Sequence, residues 1–383
     1  MKRRVRLVGL LLTAVILLAV PAANAAAQTG RVAELTQQLD REVPGLLRTY
    51  RVSGTALAVI EHGTVAHAQG FGVADVAAGT PMTGDTVFQA ASISKAVTAW
   101  GVMRLVEQGK LQLDAPAEQY LTRWHIPPFA FDGQGVTIRR LLSHTAGLST
   151  GASTGYNGFE PGEPLPTLEE SLAGKTRPAG GVQIVSAPGT SFSYSGANYL
   201  MLQLVIEEVS GQSFSTYMQQ EVLAPLGMTR SSYTWSPALQ PATAQPYDAW
   251  GRQLPSHTFT EQAVGGLYTT AADLGRWVAA HLPGPGGEAA GRGVLLPETI
   301  REMLTPQPAT AGAYLGDASS AWGLGYTLNT EAGRSTIAQH TGDNIGYKTW
   351  AVFQPEAGIG FVVLTNSDRG TNLNAALTRR WLD

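Results

Sequence analysis

Apolar and polar residues follow regular patterns in the first part of the chain. Between residues 31 and 48, apolar side chains recur every three or four positions, as on one face of a helix. Residues 54–63 (GTALAVIEHG) and 64–75 (TVAHAQGFGVAD) instead alternate, with Gly63 between them. The patterns predict an amphipathic helix followed by a hairpin of two antiparallel strands. The apolar positions of the helix are Val32, Leu35, Leu39 and Val43.

The middle of the chain has helical spacing, and its end returns to strand patterns. Helices are predicted around residues 92–95, over parts of 198–228, and after Thr270, which is the expected N-cap with Asp273 three positions later. Four consecutive strands are then predicted, with a final helix in LNAALTRRWL. The four strand segments are WGLGYTLN, STIAQHTG, YKTWAVFQP and IGFVVLTNSD.

Strands at both ends of the chain, with helices between them, predict an α+β fold. We expect one antiparallel sheet flanked by N- and C-terminal helices, with a large helical insertion. Residues 26–90 and 320–383 should form the sheet subdomain, and residues 91–319 a mainly helical subdomain. Because no internal repeat and no linker separates them, both parts are expected to form one domain.

Residues 1–25 have the organisation of a secretory signal peptide. Four basic residues precede the apolar run Leu7 to Val20, and Ala23-Asn24-Ala25 is an A-x-A cleavage site. The alternative is a membrane anchor, but the run is short for a span of about 20 residues. The sequence therefore predicts a periplasmic or secreted protein without stable membrane insertion after cleavage.

Composition narrows the classes of partner. The chain has 383 residues, of which 44% are hydrophobic and 14% charged, so it can build a large core. Loss of the four basic residues of the signal changes the formal net charge from −3 to −7, which disfavours nucleic acid as a partner. There is no cysteine, so the exported fold is expected to rely on its core without disulfides.

Ser92 and Lys95 form the first candidate for chemistry. Residues three apart lie on one helix face, and a serine hydroxyl needs a neighbour that takes its proton before it can act as a nucleophile. A buried lysine is costly unless it is paired or used. The spacing alone is a weak signal, but Ile93, Val97 and Trp100 form an apolar stripe that places the pair at the edge of a core-facing helix.

A second serine competes with Ser92. Residues 151–155 (GASTG) match the G-x-S-x-G pattern of α/β-hydrolases, with Ser153 as the nucleophile. That pattern needs a strand before the serine and a helix after it, and neither flanking segment fits. The segment is therefore interpreted as a loop.

In its ordered motifs, the chain resembles the penicillin-recognising serine hydrolases, which include class C β-lactamases, D-Ala-D-Ala carboxypeptidases and related esterases. The resemblance covers nearly all of the chain after the signal and implies the β-lactamase/transpeptidase-like fold. The absence of an S-D-N element disfavours the class A pattern. The motifs are SISK (92–95), LLSHTAGL (141–148), FSYSGANY (192–199), PLGM (225–228), GGLYTTAADLGRW (265–277), WGLGY (322–326) and HTG (340–342).

The resemblance implies a catalytic set of Ser92 as acylated nucleophile, Lys95 in its proton network and Tyr194 as general base or acid. Tyr194 could act as a base near neutral pH if the charge of Lys95 stabilised its phenolate.

The resemblance also implies how a substrate is held. Thr341 would hydrogen-bond a substrate carboxylate, and Gly342 would let a substrate backbone approach closely. The backbone N–H groups of Ser92 and Asp343 would form the oxyanion hole.

Two positions depart from the family pattern. Gly196 stands where the Y-x-N element has asparagine, and Asn344 is a candidate substitute for the missing amide. His340 stands where K-T-G has lysine, so a positive charge is weakened because unperturbed histidine has a pKa near 6.5. If protonated His340 assists, activity should fall as pH rises through the histidine range.

The histidine spacing gives little support to a zinc enzyme. None of the seven histidines forms an H-x-x-x-H or H-E-x-x-H pair. No cofactor is therefore expected, with an incidental metal at His340 as the less favoured alternative. The expected partner is a small molecule, either a β-lactam or a peptidoglycan-type peptide, and a monomer is expected.

Three functions remain open at this point. A secreted class C-like β-lactamase acting through a Ser92 acyl-enzyme is preferred, because the H-T-G element survives. A D-Ala-D-Ala carboxypeptidase or an esterase would use the same residues. A non-catalytic β-lactam- or peptidoglycan-binding protein is the third interpretation, permitted by Gly196 and His340.

Overall fold

The computed structural model describes residues 19–149, 158–175, 181–313, 317, 319–330 and 335–382, with side chains from residue 30 onward. Most of the predicted signal peptide and the whole GASTG segment lie outside these residues. The chain divides into two compact units, Met1–Val43 and Pro44–Asp383, and the second contains the sheet and the candidate site. No helix within the described residues is long and apolar enough to span a bilayer.

Ten helices and ten strands are found among the described residues. The helices are α1 Ala19–Tyr50, α2 Ile93–Glu107, α3 Ile138–Leu142, α4 Leu168–Leu172, α5 Gly196–Ser210, α6 Phe214–Met218, α7 Gln262–Gly265, α8 Ala271–Ala279, α9 Pro297–Met303 and α10 Gly370–Leu382. The strands are β1 Gly54–Glu61, β2 Thr64–Asp75, β3 Thr80–Pro81, β4 Val87–Gln89, β5 Tyr268–Thr270, β6 Ser320–Trp322, β7 Thr327–Asn329, β8 Ile337–Asn344, β9 Tyr347–Gln354 and β10 Ile359–Thr365.

The main sheet has eight strands in the order β3-β2-β1-β10-β9-β8-β7-β6, and all neighbouring pairs are antiparallel. The predicted N-terminal hairpin is β1–β2, and the C-terminal hairpin β9–β10 pairs with it through β10. The α+β prediction with one antiparallel sheet is therefore confirmed. The proposed split into 26–90 with 320–383 and 91–319 stays a prediction.

Both faces of the sheet centre are covered, which explains why β10 is buried along its whole length. Successive residues of a strand point to opposite faces. Accordingly, the Cα of Gly360 faces Val278 of α8, while the ring of Phe361 stacks on Trp381 of α10 with 6.1 Å between ring centroids. A strand buried on both faces is apolar at consecutive positions and does not alternate.

The predicted helix after Thr270 is α8, and the Thr270 side chain accepts a hydrogen bond from the Asp273 N–H at 3.0 Å. The helical stretch predicted within residues 198–228 is α5, which begins two residues earlier and ends at Ser210 with Gly211 as its C-cap. The short helix α6 follows. Gly211 has a φ of +69°, a conformation that glycine adopts without strain.

A small second sheet pairs β4 with β5 and was not predicted. Each strand has three residues, too few for alternation to be recognised in the sequence. Its position matters for the site, because β4 ends immediately before the turn that leads into α2.

Candidate active site

Ser92 is held at the start of α2 by a turn with a strained residue. The Ala90 N–H donates to Leu267 O at 2.8 Å, which ties the turn to the small sheet, and Thr349 Oγ1 donates to Ala90 O at 2.8 Å. Ala91 has a φ of +50°, a region that residues with a Cβ rarely adopt. The hydrogen bonds of the turn begin with the Ile93 N–H, one residue past Ser92. This arrangement presents Ser92 at the open, positive end of the helix.

Lys95 lies directly behind Ser92 and is almost completely buried, with 2% of its surface exposed. Its Nζ donates to Ser92 Oγ at 2.9 Å and to Val264 O at 2.8 Å. Both of these acceptors are uncharged, so burial is not offset and lowers the lysine pKa to about 7. Near neutral pH a large fraction of Lys95 is therefore an uncharged amine that can accept the serine proton.

Tyr194 stands on the other side of the nucleophile, two residues before α5. Its ring lies under the Lys95 ammonium, with Nζ 5.1 Å from the ring centroid, and its hydroxyl bonds to Ser92. Burial raises the pKa of Tyr194 well above its usual value, and the hydrogen bond with Ser92 offsets only part of this effect. The expectation that Lys95 makes Tyr194 a phenolate base is not supported. The proton stays on the phenol, which favours the acid role.

Strand β8 offers an open edge beside the nucleophile. β7 pairs with β8 only from Ile337 to Gln339, so the edge of β8 from His340 onward is not paired with β7. Thr341 and Asp343 are exposed on this segment. An extended substrate could pair with such an edge, and Thr341 is accessible to it.

Gly342 packs tightly against the turn before α2. A Cβ at this position would collide with Ala90 O and Thr349 Oγ1. The protein's own turn therefore requires a glycine here, and the expected close approach of a substrate backbone stays a prediction. The oxyanion hole expected from the backbone N–H groups of Ser92 and Asp343 stays a prediction.

His340 is buried beside Tyr194, with 6.4 Å between the ring centroids. Its Nδ1–H donates to Thr341 O at 2.7 Å, and Nε2 has no partner. Burial, with a smaller contribution from Lys95, lowers the pKa of His340 to about 3. The imidazole is therefore neutral at physiological pH, so the hypothesis of a protonated His340 that assists catalysis is not supported.

The side chains of Asp343 and Asn344 have protein partners. Lys348 Nζ donates to Asp343 Oδ1 at 2.7 Å and to Asp368 Oδ1 at 2.8 Å. The Asn344 amide donates to Gln89 Oε1 at 2.8 Å and to Gly265 O at 3.3 Å. The Asn344 amide group that was expected to compensate for Gly196 thus already donates to protein acceptors. Of that side chain, only the carbonyl oxygen Oδ1 remains for a ligand.

The described residues contain no group of three or more side chains suited to hold a metal ion. His340 Nε2 has no hydrogen-bond partner, but no cluster of further ligands surrounds it within the described residues, so an incidental metal there gains no support.

Sequence reasoning missed two side chains that surround Tyr194. Trp322 and His144 contact the Tyr194 ring at centroid distances of 5.7 and 4.4 Å. Both occur in the quoted motifs WGLGY and LLSHTAGL, but neither motif indicates which side chain turns inward. A fixed spacing would have been needed to assign them a role, and these residues are far apart in sequence.

Comparisons with known proteins agree with this arrangement. The family model described as Beta-lactamase matches residues 35–383. Esterase EstB of Burkholderia gladioli is 29% identical over 372 residues, which cover 88% of this chain and 91% of the esterase.

Two solved structures share the fold. The octameric penicillin-binding protein homologue from Pyrococcus abyssi superposes with a TM-score of 0.71 at 29% identity, covering 87% of this chain and 74% of that one. D-alanine carboxypeptidase AmpC from Burkholderia cenocepacia gives a TM-score of 0.72 at 23% identity, covering 92% and 99%, and at that identity it supports the fold alone. The chain belongs to the beta-lactamase family, whose members are serine hydrolases that include esterases and carboxypeptidases.

Proposed function

We propose that this protein is a serine hydrolase that forms an acyl-enzyme on Ser92 and acts best on uncharged carboxylic esters. The observation that carries the proposal is the 2.9 Å hydrogen bond between Lys95 Nζ and Ser92 Oγ, made by a lysine whose burial lowers its pKa to about 7. Such a lysine can remove the serine proton without a histidine. A protein that only binds its ligand would have no need for this costly pair, which argues against the non-catalytic interpretation.

The proposed acylation follows from the protonation states. Neutral Lys95 accepts the Ser92 proton while Oγ attacks the ester carbonyl carbon, and the N–H groups of Ser92 and Asp343 stabilise the oxyanion. As the carbonyl re-forms, the bond to the leaving oxygen breaks, and the Tyr194 phenol donates its proton to that oxygen. Tyr194 regains a proton from the Lys95 ammonium. Water then hydrolyses the Ser92 ester with the same groups acting in reverse.

Electrostatics support esters over carboxylate-bearing substrates. β-Lactams and D-Ala-D-Ala peptides carry a carboxylate, which the lysine of the K-T-G element would face in relatives. His340 occupies that position here, and it is neutral at physiological pH because burial lowers its pKa to about 3. Lys348 already pairs with Asp343 and Asp368. We therefore place esters ahead of the β-lactams preferred from sequence, and the similarity to Esterase EstB supports this order.

β-Lactam hydrolysis remains the second candidate because of one observation. Thr341 is exposed on the open edge of β8 beside Ser92, where a hydroxyl could hydrogen-bond a substrate carboxylate or amide. A carboxypeptidase would use the same edge and would differ from a β-lactamase in releasing its penicilloyl group slowly.

The proposal is tested with p-nitrophenyl esters of short acids and a chromogenic cephalosporin, using the wild type, Ser92→Ala and Ser153→Ala. We expect ester turnover in the wild type and in Ser153→Ala, and a loss of at least 10³-fold in Ser92→Ala. Intact-mass measurement after fluorophosphonate treatment should show one adduct that disappears in Ser92→Ala. Ester turnover unchanged in Ser92→Ala would refute the Ser92 mechanism. Faster turnover of the cephalosporin than of the esters would place β-lactams ahead of esters as substrates.

We also propose that residues 1–25 are removed on export to the periplasm or the medium. N-terminal sequencing of the exported protein tests this, and a mature chain that retains residues 1–25 would contradict it. The monomer expected from sequence stays a prediction, which light scattering can decide, because the Pyrococcus abyssi homologue is octameric.

A further inference from the structure

His144, in the segment between α3 and α4, has a conformation that calls for an explanation. Its φ is +56°, and its side chain is completely buried. Non-glycine residues in the left-handed region carry a conformational cost, and such strain is retained mainly where the surrounding structure demands it. The acylation scheme above assigns no role to this residue.

His144 forms hydrogen bonds with the residues immediately before and after Tyr194. The Ser193 N–H donates to His144 O at 2.8 Å, and the Ser195 N–H donates to His144 Nδ1 at 3.2 Å. Between these two hydrogen bonds, the imidazole lies against the Tyr194 ring with centroids 4.4 Å apart. One residue therefore binds the backbone before and after Tyr194 and also contacts its side chain.

The hydrogen bonds fix the tautomer of His144. A backbone N–H can only donate, so Nδ1 must carry a lone pair, and Asn198 Nδ2 donates to the same atom at 2.8 Å. The proton is consequently on Nε2. Burial, with smaller contributions from Lys95 and His340, holds the pKa of His144 well below its usual value, so the ring stays neutral and Nδ1 stays an acceptor.

We propose that His144 is a positioning residue that holds the Tyr194 hydroxyl against Ser92. The inference rests on the proposed function, in which Tyr194 donates the proton to the leaving group. The left-handed backbone lets the carbonyl and the ring nitrogen of a single residue face the same three-residue segment. Displacements of about 1 Å at a catalytic group can cost about 10²-fold in rate.

The choice of variants separates positioning from backbone strain. Glycine and asparagine both tolerate a positive φ, but only asparagine keeps an acceptor near the position of Nδ1. We expect His144→Gly to lower kcat for a p-nitrophenyl ester at least tenfold with little change in KM. His144→Asn should retain activity to within about threefold of the wild type. Rates are normalised to the folded fraction measured by near-ultraviolet circular dichroism.

A double-mutant cycle with Tyr194→Phe gives the decisive readout. If His144 acts through the Tyr194 hydroxyl, His144→Gly should change kcat less than twofold in the Tyr194→Phe background. If His144→Gly does not fold, Asn198→Ala replaces it in the same cycle, with an expected three- to tenfold loss that also vanishes beside Tyr194→Phe. Equal losses in both backgrounds, or no rescue by His144→Asn, would overturn the proposal.

The outcome also distinguishes this inference from the proposed function. Failure of Ser92→Ala to abolish turnover and labelling would refute the acyl-enzyme itself. If Ser92→Ala is inactive and Tyr194→Phe is as active as the wild type, the acyl-enzyme stands and the positioning role of His144 is refuted. If both are required and the cycle is additive, only the inference about His144 is refuted.

Discussion

Lys95 determines the protonation chemistry of the candidate site at the scale of single residues. It is buried and hydrogen-bonded to two uncharged acceptors, and burial lowers its pKa to about 7. Burial moves Tyr194 in the opposite direction and keeps it protonated. Burial disfavours the charged form of both groups. It therefore leaves Lys95 as a neutral amine that can act as a base and Tyr194 as a phenol that can act as an acid.

The pH dependence of kcat/KM should therefore report Lys95. We expect kcat/KM for ester cleavage to rise with pH, with a midpoint near pH 7 and a plateau about one pH unit higher, as the amine loses its proton. Whatever its effect on the level of activity, His340→Gln should leave the midpoint within about half a pH unit of the wild type. A rate that falls as pH rises from 6 to 8 would contradict the role of Lys95 as base.

The stability of Lys95 variants gives an independent test. The unfolded lysine has a pKa near 10.4, so at pH 7 its burial costs the folded state roughly 4 kcal/mol. Lys95→Met should remove this cost and lose two hydrogen bonds worth roughly 2 kcal/mol. We expect inactive protein with a free energy of unfolding about 2 kcal/mol higher at pH 7, measured by urea denaturation.

The sign of this effect depends on pH. The cost is fully present below pH 7, where folded Lys95 is charged, and it declines as pH rises toward the unfolded pKa. The gain from Lys95→Met should therefore be larger at pH 6 than at pH 9.5. Exposed Lys110 provides the matched control, since Lys110→Met should leave the stability nearly unchanged. A Lys95→Met protein less stable than the wild type at both pH values would contradict the burial argument.

At the scale of elements, the site depends on the contact between β8 and the turn before α2. A methyl group in Gly342→Ala would collide with Ala90 O and Thr349 Oγ1, so the strand or the turn must shift. We expect at least a tenfold loss of kcat, together with a fall in the free energy of unfolding of about 1 to 3 kcal/mol. Gly133→Ala is the control, because its new methyl meets only Ile184 Cδ1 at 3.8 Å. Full activity in Gly342→Ala would show that the glycine is dispensable.

The predictability of each element follows from how its residues are organised. Hairpin β1–β2 and strands β8 to β10 were predictable because alternation or long apolar runs persist over seven residues or more. The candidate pair Ser92 and Lys95 was predictable from local helical spacing. The β4–β5 pairing, the positive φ of Ala91 and the inward turn of His144 depend on contacts between distant segments. The charges of His340 and Tyr194 depend on burial, which no local pattern specifies.

At the scale of the whole molecule, the stability of the unit Pro44–Asp383 should depend on pH because three imidazoles are buried in its core. His144, His281 and His340 are buried, and burial is the main cause that lowers each pKa, to about 3 for His281 and His340. His281 shows why its proton uptake is disfavoured. Its Nδ1–H donates to Trp277 O at 2.9 Å, and its Nε2 accepts from Tyr326 Oη at 2.8 Å and from Trp100 Nε1 at 3.3 Å.

The buried histidines should make the fold sensitive to acid. Their contribution to stability is complete above the unfolded pKa near 6.5 and is lost progressively as pH falls toward the folded values. At pH 5 His281 and His340 each cost the folded state about 2 kcal/mol, a large share of a typical stability of about 5 to 15 kcal/mol. Urea denaturation at pH 7.5, 6 and 5 should show this fall in the free energy of unfolding. In His281→Gln the free energy of unfolding should change less steeply with pH, by the equivalent of about one proton. An equal slope in the wild type and His281→Gln would show that His281 is protonated as readily in the folded as in the unfolded chain.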